Sequence, residues 1–255
     1  MPREGCRGSP PPGPWPPGPV VPLLEDRQVH VWLRDLEGVH PDGGPSLGLS
    51  AEELERAGRL RRKEDQRRWT SSRAWLRAVL GRYVDRPGSD LRFFYGTEGK
   101  PFLAHTPRRG PIQFNLSHSG DWAIMAVSRH EVGIDMETTG GEPPTEALVR
   151  RVLTEDEQQA MARWFRQRRK QGFLKAWTRK EALFKGTGEG LTRDPLTIST
   201  LVSESSSGGS VAFEVMRNAA DYEGWTVVDL SPDPGVVAAV AVREAKPRFQ
   251  AWSWT

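Results

Sequence analysis

The chain has 255 residues with 36 basic and 33 acidic side chains, a net charge of +3 and 36 % hydrophobic residues, enough for one large domain or two small ones. Its single cysteine, Cys6, excludes a disulfide framework and a cysteine-based zinc site, and a reducing, cytoplasmic setting follows. No apolar run approaches the ~18 residues of a membrane span, and the start of the chain lacks the apolar stretch of a secretory signal.

Residues 1–22 are dominated by Pro and Gly, a composition that predicts an extended or disordered tail. A first strand is expected over 29–33, and a loop over 41–48. Ser50 followed by Glu53 makes a capping box that starts a helix, and a basic segment with an apolar stripe (Trp69, Leu76, Val79, Leu80, Tyr83) carries the helical pattern to about Tyr83. A short strand follows at 91–95, then a Gly99-Lys100-Pro101 turn. Residues 114–119 and 122–128 read as strands joined at Gly120-Asp121, with 132–137 as a third. Their short turns predict sequential antiparallel pairing.

Along 132–137 the side chains alternate, so Asp135 and Glu137 share one face roughly 6–7 Å apart while Ile134 and Met136 share the other. After a helix at 145–153 and a Thr154/Glu157 capping box, a second long helix is expected over 172–185. On it Trp177, Glu181 and Lys185, four apart, share a face. If that helix packs on the 132–137 strand, three carboxylates and a lysine converge. Oxygen ligands beside a phosphate-seeking lysine suit Mg²⁺ and a phosphorylated substrate. Beyond the helix the pattern is β-rich, with strands expected at 196–201, 211–215, 225–230 and 236–242, and a Ser/Gly-rich loop at 203–210.

Trp69-Thr70-Ser71-Ser72-Arg73-Ala74-Trp75-Leu76-Arg77 parallels Trp177-Thr178-Arg179-Lys180-Glu181-Ala182-Leu183-Phe184-Lys185 at an offset of 108 residues. Both copies lie in a basic helix followed by strands, which favours two similar α+β halves. Arg73 in the first copy stands where the second has Glu181. A site between such halves would have base on one side and acid on the other.

Four stretches in order (Gly99-Lys100-Pro101, Phe114-Asn115-Leu116-Ser117-His118-Ser119, Gly133-Ile134-Asp135-Met136-Glu137, and the 177–185 helix with Gly186, Gly188 and Gly190-Leu191) resemble the signatures of the Sfp-type 4′-phosphopantetheinyl transferases. The resemblance covers about residues 60–191. It implies an α+β pseudo-dimer, here a tail at 1–22, a nucleotide-side half at 23–128 and a metal and carrier half at 129–255, with the site between the halves. It implies transfer of the phosphopantetheine arm of coenzyme A to a serine of an acyl or peptidyl carrier protein, with Mg²⁺ required and adenosine 3′,5′-bisphosphate released. A cytoplasmic monomer with neither nucleic-acid nor membrane partner is expected.

Carried over residue by residue, the resemblance makes Asp135, Glu137 and Glu181 the metal ligands. Lys185 reaches a phosphate, with Glu181 and Lys185 counted in the catalytic set, and Lys180 supports electrostatically. Arg68, Lys100, Ser117 and His118 contact coenzyme A, where nearby phosphate would raise the histidine's pKa. Which of Arg59, Arg61, Arg62 and Lys63 grips the 3′-phosphate stays open. Glu157 aligns with a glutamate proposed as base for the carrier serine, and equally completes the Thr154 capping box. Arg150 and Arg151 offer a docking edge to an acidic carrier. Two alternatives stand beside this reading: a basic nucleic-acid binder using the arginines of 59–77 and 166–170, and a different Mg²⁺-dependent phosphotransferase.

Overall fold

The structure is a computed structural model that describes residues 13–37, 48–104, 110–162, 166–190, 193–200, 212–214 and 222–254. Expectations for Cys6, for the loops at 41–47 and 203–210, and for Leu191 lie outside these residues. Alternating apolar side chains build two four-stranded sheets. In the first, β10 (Arg248–Ser253) pairs in parallel with β1 (Gln28–Asp35), which pairs antiparallel with β5 (Trp122–Ser128), which pairs antiparallel with β4 (Gln113–Ser119). In the second, the order is β6 (Val132–Thr138), β9 (Val236–Val242), β8 (Thr226–Leu230) and β7 (Ala212–Glu214), all antiparallel. A separate hairpin joins β2 (Phe93–Tyr95) to β3 (Pro101–Leu103).

The sheets share an apolar core in which Val29, Val31, Ile124 and Ala126 of the first meet Ile134, Met136, Val228 and Val240 of the second. On the outer face of the first sheet lies α2 (Lys63–Val84), whose Trp75, Leu76, Val79 and Leu80 pack with Trp32, Phe114 and Met125. On the outer face of the second lies α5 (Arg166–Thr187), through Ala182, Leu183 and Phe184 against Val227, Ala239 and Ala241. The central strands are buried on both faces, alternate side chains facing the shared core and the flanking helix, which gives a helix–sheet–sheet–helix stack. Both outer helices have 22 residues, and the 108-residue echo lies on them. Three shorter helices, α1 (Ala51–Gly58), α3 (Glu146–Val152) and α4 (Glu155–Ala162), complete the chain.

Several expectations are corrected. β6 forms no ladder with β5. It pairs with β9 and opens the second sheet, so the three consecutive strands do not form one meander. The tail is not disordered over residues 13–22. Trp15 is only 4 % exposed within the shared core, and Gly13, Pro16 and Gly18 hydrogen-bond to Ser231 and Ser253. The basic helical region is broken at 59–62, where like charges three and four apart work against a continuous helix and Gln66 donates to the Leu60 carbonyl. Residues 195–197 form a 3-10 turn in place of a strand, because Asp194 caps Leu196 N and Pro195 cannot serve a ladder. The expected division at 128/129 falls between β5 and β6, but β10, from the second part of the chain, completes the first sheet.

Candidate active site

β4 and β6 are the edges at which the two sheets meet. No backbone ladder joins them; side chains at alternate positions of β4 do. Asn115 Oδ1 accepts from Ile134 N at 3.0 Å, Ser117 Oγ donates to Asp135 Oδ1 at 2.8 Å, and Ser119 Oγ donates to Glu137 Oε2 at 2.8 Å. The register brings these residues to one face of β4, and Phe114, Leu116 and His118 to the α2 side. Asp135 and Glu137 lie on the α5 side of β6, opposite Ile134 and Met136, as their alternation requires.

α5 reaches these carboxylates because it lies unusually close to β6. A Cβ on Gly133 would stand 2.0 Å from Ala182 O and 2.3 Å from Gly186 N, so only glycine fits there. The Trp177/Glu181/Lys185 face then meets the strand. Lys185 Nζ donates to Asp135 Oδ1 at 2.6 Å and to Ser117 Oγ at 3.1 Å, and Trp177 donates to Glu137. Burial, reinforced by the charges of Asp135 and Glu137 and opposed by Lys185, pushes the Glu181 carboxyl up to about 7. Burial likewise raises the Glu137 carboxyl, with Asp135 adding to the shift while Ser119, Lys185 and Trp177 oppose it. Asp135, 4 % exposed, keeps its Oδ2 buried with no hydrogen-bond partner. The cluster is therefore three crowded acids against one lysine. Among the described residues no three His, Cys, Asp or Glu side chains already stand in a metal-holding arrangement. The Lys185 ammonium lies on one of the oxygens such an ion would need.

The basic side of the cleft is narrower than the sequence suggests. Arg73 and Arg77 turn inward to a buried Glu53, with Arg73 also donating to Tyr95 and Arg77 to the carbonyls of Gly88 and Leu91. They do not face the carboxylates. Arg68 grips Asp121 through two bonds of 2.8 and 3.0 Å and also pairs with Glu64. His118 is exposed at its edge, yet the surrounding protein desolvates it, and that effect, with the cations Lys185 and Arg68, holds its imidazole below the usual value. Arg59, Arg61, Arg62 and Lys63 are exposed or nearly so.

Three expected site residues stand elsewhere. Lys180 is fully buried; its Nζ donates to Val152 O, Pro195 O and Glu157 Oε2 at 2.7–2.9 Å. Glu157, 2 % exposed, accepts from Thr154 N and Lys180 on Oε2, and from Thr200 N and Thr200 Oγ1 on Oε1. It completes the capping box and a buried ion pair, which ties α4 and the 195–200 segment to α5. Lys100 donates to Val132 O and Gly186 O, and burial pushes its ammonium down to about 8. It thereby pins the β2–β3 hairpin of the first half to the second half. Arg150 and Arg151 are exposed on α3. Sequence reasoning passed over Asn115 and Ser119, although the period-2 spacing Asn115-x-Ser117-x-Ser119 carries them, and Asp121, whose partners no local pattern announces.

Family models place this arrangement among known proteins. Residues 131–241 match the 4′-phosphopantetheinyl transferase superfamily, and residues 47–130 match the N-terminal part of a 4′-phosphopantetheinyl transferase. The chain is similar to the 4′-phosphopantetheinyl transferase HetI of Nostoc sp., 32 % identical over 88 % of this chain and 91 % of the relative. It is also similar to psf-1 of Bacillus pumilus, 30 % identical over 77 % and 79 %, and to Sfp of Bacillus subtilis, 29 % identical over 79 % and 84 %. With its acid cluster at the seam of two α+β halves, the chain belongs to the 4′-phosphopantetheinyl transferase superfamily, of the Sfp type.

Proposed function

We propose that the cleft between β4, β6 and α5 moves the phosphopantetheine arm of coenzyme A onto a carrier-protein serine, with a Mg²⁺ ion held by Asp135, Glu137 and Glu181. The observation that carries the metal is Asp135 Oδ2, a buried oxygen without a partner beside two carboxyls whose affinity for protons is raised by burial and further by the neighbouring acids. A hard divalent ion suits an all-oxygen donor set and relieves that repulsion. When bound, it would neutralise charge on the pyrophosphate oxygens as adenosine 3′,5′-bisphosphate departs.

The chain's own groups supply the rest. Lys185 stands on Asp135 from the same helical face as Glu181, a position from which its ammonium can transfer to an incoming phosphate. Ser117 orients Asp135 and Lys185 together. His118 and Arg68 add first-half donors, and a bound phosphate would reverse the downward shift of the imidazole, because negative charge favours its protonated form. Lys180, walled in at zero exposure, serves as a strut, and Glu157 fills its hydrogen-bonding capacity within the same strut. The nucleic-acid alternative is weakened at Arg73 and Arg77, which are buried in ion pairs with Glu53. Division of labour between a nucleotide-side half and a metal and carrier half, cytoplasmic residence and a monomeric state belong to the same proposal; no described helix is long and apolar enough to cross a membrane.

Mass spectrometry of apo carriers incubated with coenzyme A and Mg²⁺ tests the proposal. A gain of ~340 Da on the carrier serine is expected from the transferred arm. Asp135→Ala and Glu181→Ala should abolish the gain while the circular dichroism spectrum is kept. Full labelling by either folded variant would overturn the site.

A further inference from the structure

The two covalent crossings between the sheets, at 129–131 and 243–247, lie at one end of the strands. There Val132 stands opposite Val242, Gln28 opposite Arg248, and Arg243 N donates to Glu131 O. The acid cluster lies toward the other end, where nothing covalent holds the sheets. Following the register, Ser253 aligns with Leu33, Leu33 with Ile124 and Ile124 with Ser117. In the second sheet Leu230 aligns with Ala238, and Ala238 with Met136, between Asp135 and Glu137.

Segment 13–18 spans the sheets at this second end, and residues 19–24 lead back toward the first. Gly13 N donates to Ser231 O, just past β8 of the second sheet, at 2.9 Å. Ser253 of β10, in the first sheet, donates its N–H to Pro16 O and its hydroxyl to Trp15 O, and accepts from Gly18 N. Arg82 of α2 then holds Pro19 O, and Arg129 holds Leu24 O. Between the two anchorages Trp15 enters the core that both sheets share. Gly13 and Gly18 permit the close fit, since a Cβ would stand 1.9 Å from Pro232 O at the first and 2.1 Å from the Trp32 ring at the second.

We infer that the Pro-rich segment 13–18 is a strap between the halves, and that Trp15 is a positioning residue that sets the spacing of the two sheets at the site end. The inference rests on the reading of the cleft as one coenzyme A site shared by both halves. The bonds of Ser117 to Asp135 and Ser119 to Glu137 cross that seam, and a hydrogen bond weakens steeply when its partners separate or tilt. Rigidity of the extended, proline-rich backbone keeps the strap from yielding. The segment lies outside both family-matched regions, so the device is read from this chain's own contacts.

Amide hydrogen exchange and steady-state kinetics separate the strap from the site reading. The Ile134 and Thr138 amides bond to Asn115 and Ser119 side chains across the seam. In Trp15→Ala their exchange should accelerate by about tenfold or more while β9 amides stay protected, because opening is local. The KM for coenzyme A should rise about fivefold or more, with the carrier KM steady, because a ligand held by both halves loses its prearranged geometry. Trp15→Phe should restore both. Gly13→Ala, which frees the strap from Pro232 and keeps the tryptophan, should give the same pattern in milder form and covers the case in which Trp15→Ala fails to fold. Unchanged exchange at Ile134 and Thr138 in folded Trp15→Ala or Gly13→Ala would overturn the strap. Accelerated exchange with an unchanged KM for coenzyme A would uphold the strap between the halves and refute the shared-site reading.

Discussion

Glu157→Gln distinguishes a base from a strut. The carboxylate is 2 % exposed and takes four hydrogen bonds, one from the fully buried Lys180 ammonium at 2.7 Å. The amide keeps the shape but only one accepting oxygen, so its NH2 faces two of the four donors, and it removes the charge that compensates Lys180. Burial already lowers the lysine pKa, with Glu157 opposing, so loss of Glu157 drives it further toward the neutral amine. Breaking one side of a buried pair costs about 3–5 kcal/mol. For a chain of this size that is a fall in Tm of roughly 6–20 °C. The assay is calorimetry of wild type and variant, followed by carrier labelling at a temperature where both are folded. A strut predicts the lower Tm with kcat of the folded fraction reduced by less than about tenfold. A general base predicts the reverse, since its removal typically costs 10²–10⁴-fold in rate, roughly speaking, without any demand on stability. A Tm within 2 °C or so of wild type together with a kcat loss beyond about 100-fold would refute the structural reasoning.

Two further predictions concern the first half. Glu53 accepts from both Arg73 and Arg77 and closes the Ser50 capping box, so Glu53→Ala should cost about 3–5 kcal/mol in urea denaturation, more than loss of a cap alone. His30 is fully buried between Tyr83 and Gln28, and burial lowers its pKa to about 3. Because the folded value lies below the unfolded one, its contribution is present above pH 6.5 and is lost as pH falls toward 3, by up to about 1.4 kcal/mol per unit. Between pH 7 and 5 the wild type should lose up to about 2 kcal/mol more than His30→Gln, measured as the difference in urea midpoints.

What the sequence made legible follows the range of the interactions. Alternation placed Asp135 and Glu137 on one face, and four-residue spacing placed Glu181 and Lys185 on another, because both patterns are properties of a single element. The capping boxes at Ser50 and Thr154 were legible for the same reason. Resemblance supplied the pairing of strand and helix; Gly133 carries its physical cause, a close approach that spacing alone does not disclose. Illegible were the choices among distant partners. Nothing local tells β6 to leave β5 for β9, β10 to cross back to β1, or Trp15 to leave a proline-rich segment for the core. For Lys180, and for the base role weighed for Glu157 beside its capping role, the sequence does not disclose that each charge is buried against the other.

The internal echo sets a charge network satisfied within the chain beside one with an excess of acid. At its offset of 108 residues it equates Arg73 with Glu181 and Arg77 with Lys185, on two helices of 22 residues each. In the first half both side chains converge on one buried acid, Glu53, with further bonds to Tyr95 and to backbone carbonyls. There two cations compensate one acid within the chain itself. In the second half the exchange of Arg for Glu removes a cation and adds an acid beside Asp135 and Glu137. One lysine is left to face three carboxyls, one of which is held near neutrality and another of which has a buried oxygen unpartnered. A buried cluster with this imbalance is costly unless a cation or a proton enters it. Under the proposed function, the substitution that separates the copies would convert a structural charge network into a binding one, at the seam between His118 and Arg68 of the first half and Lys185 of the second.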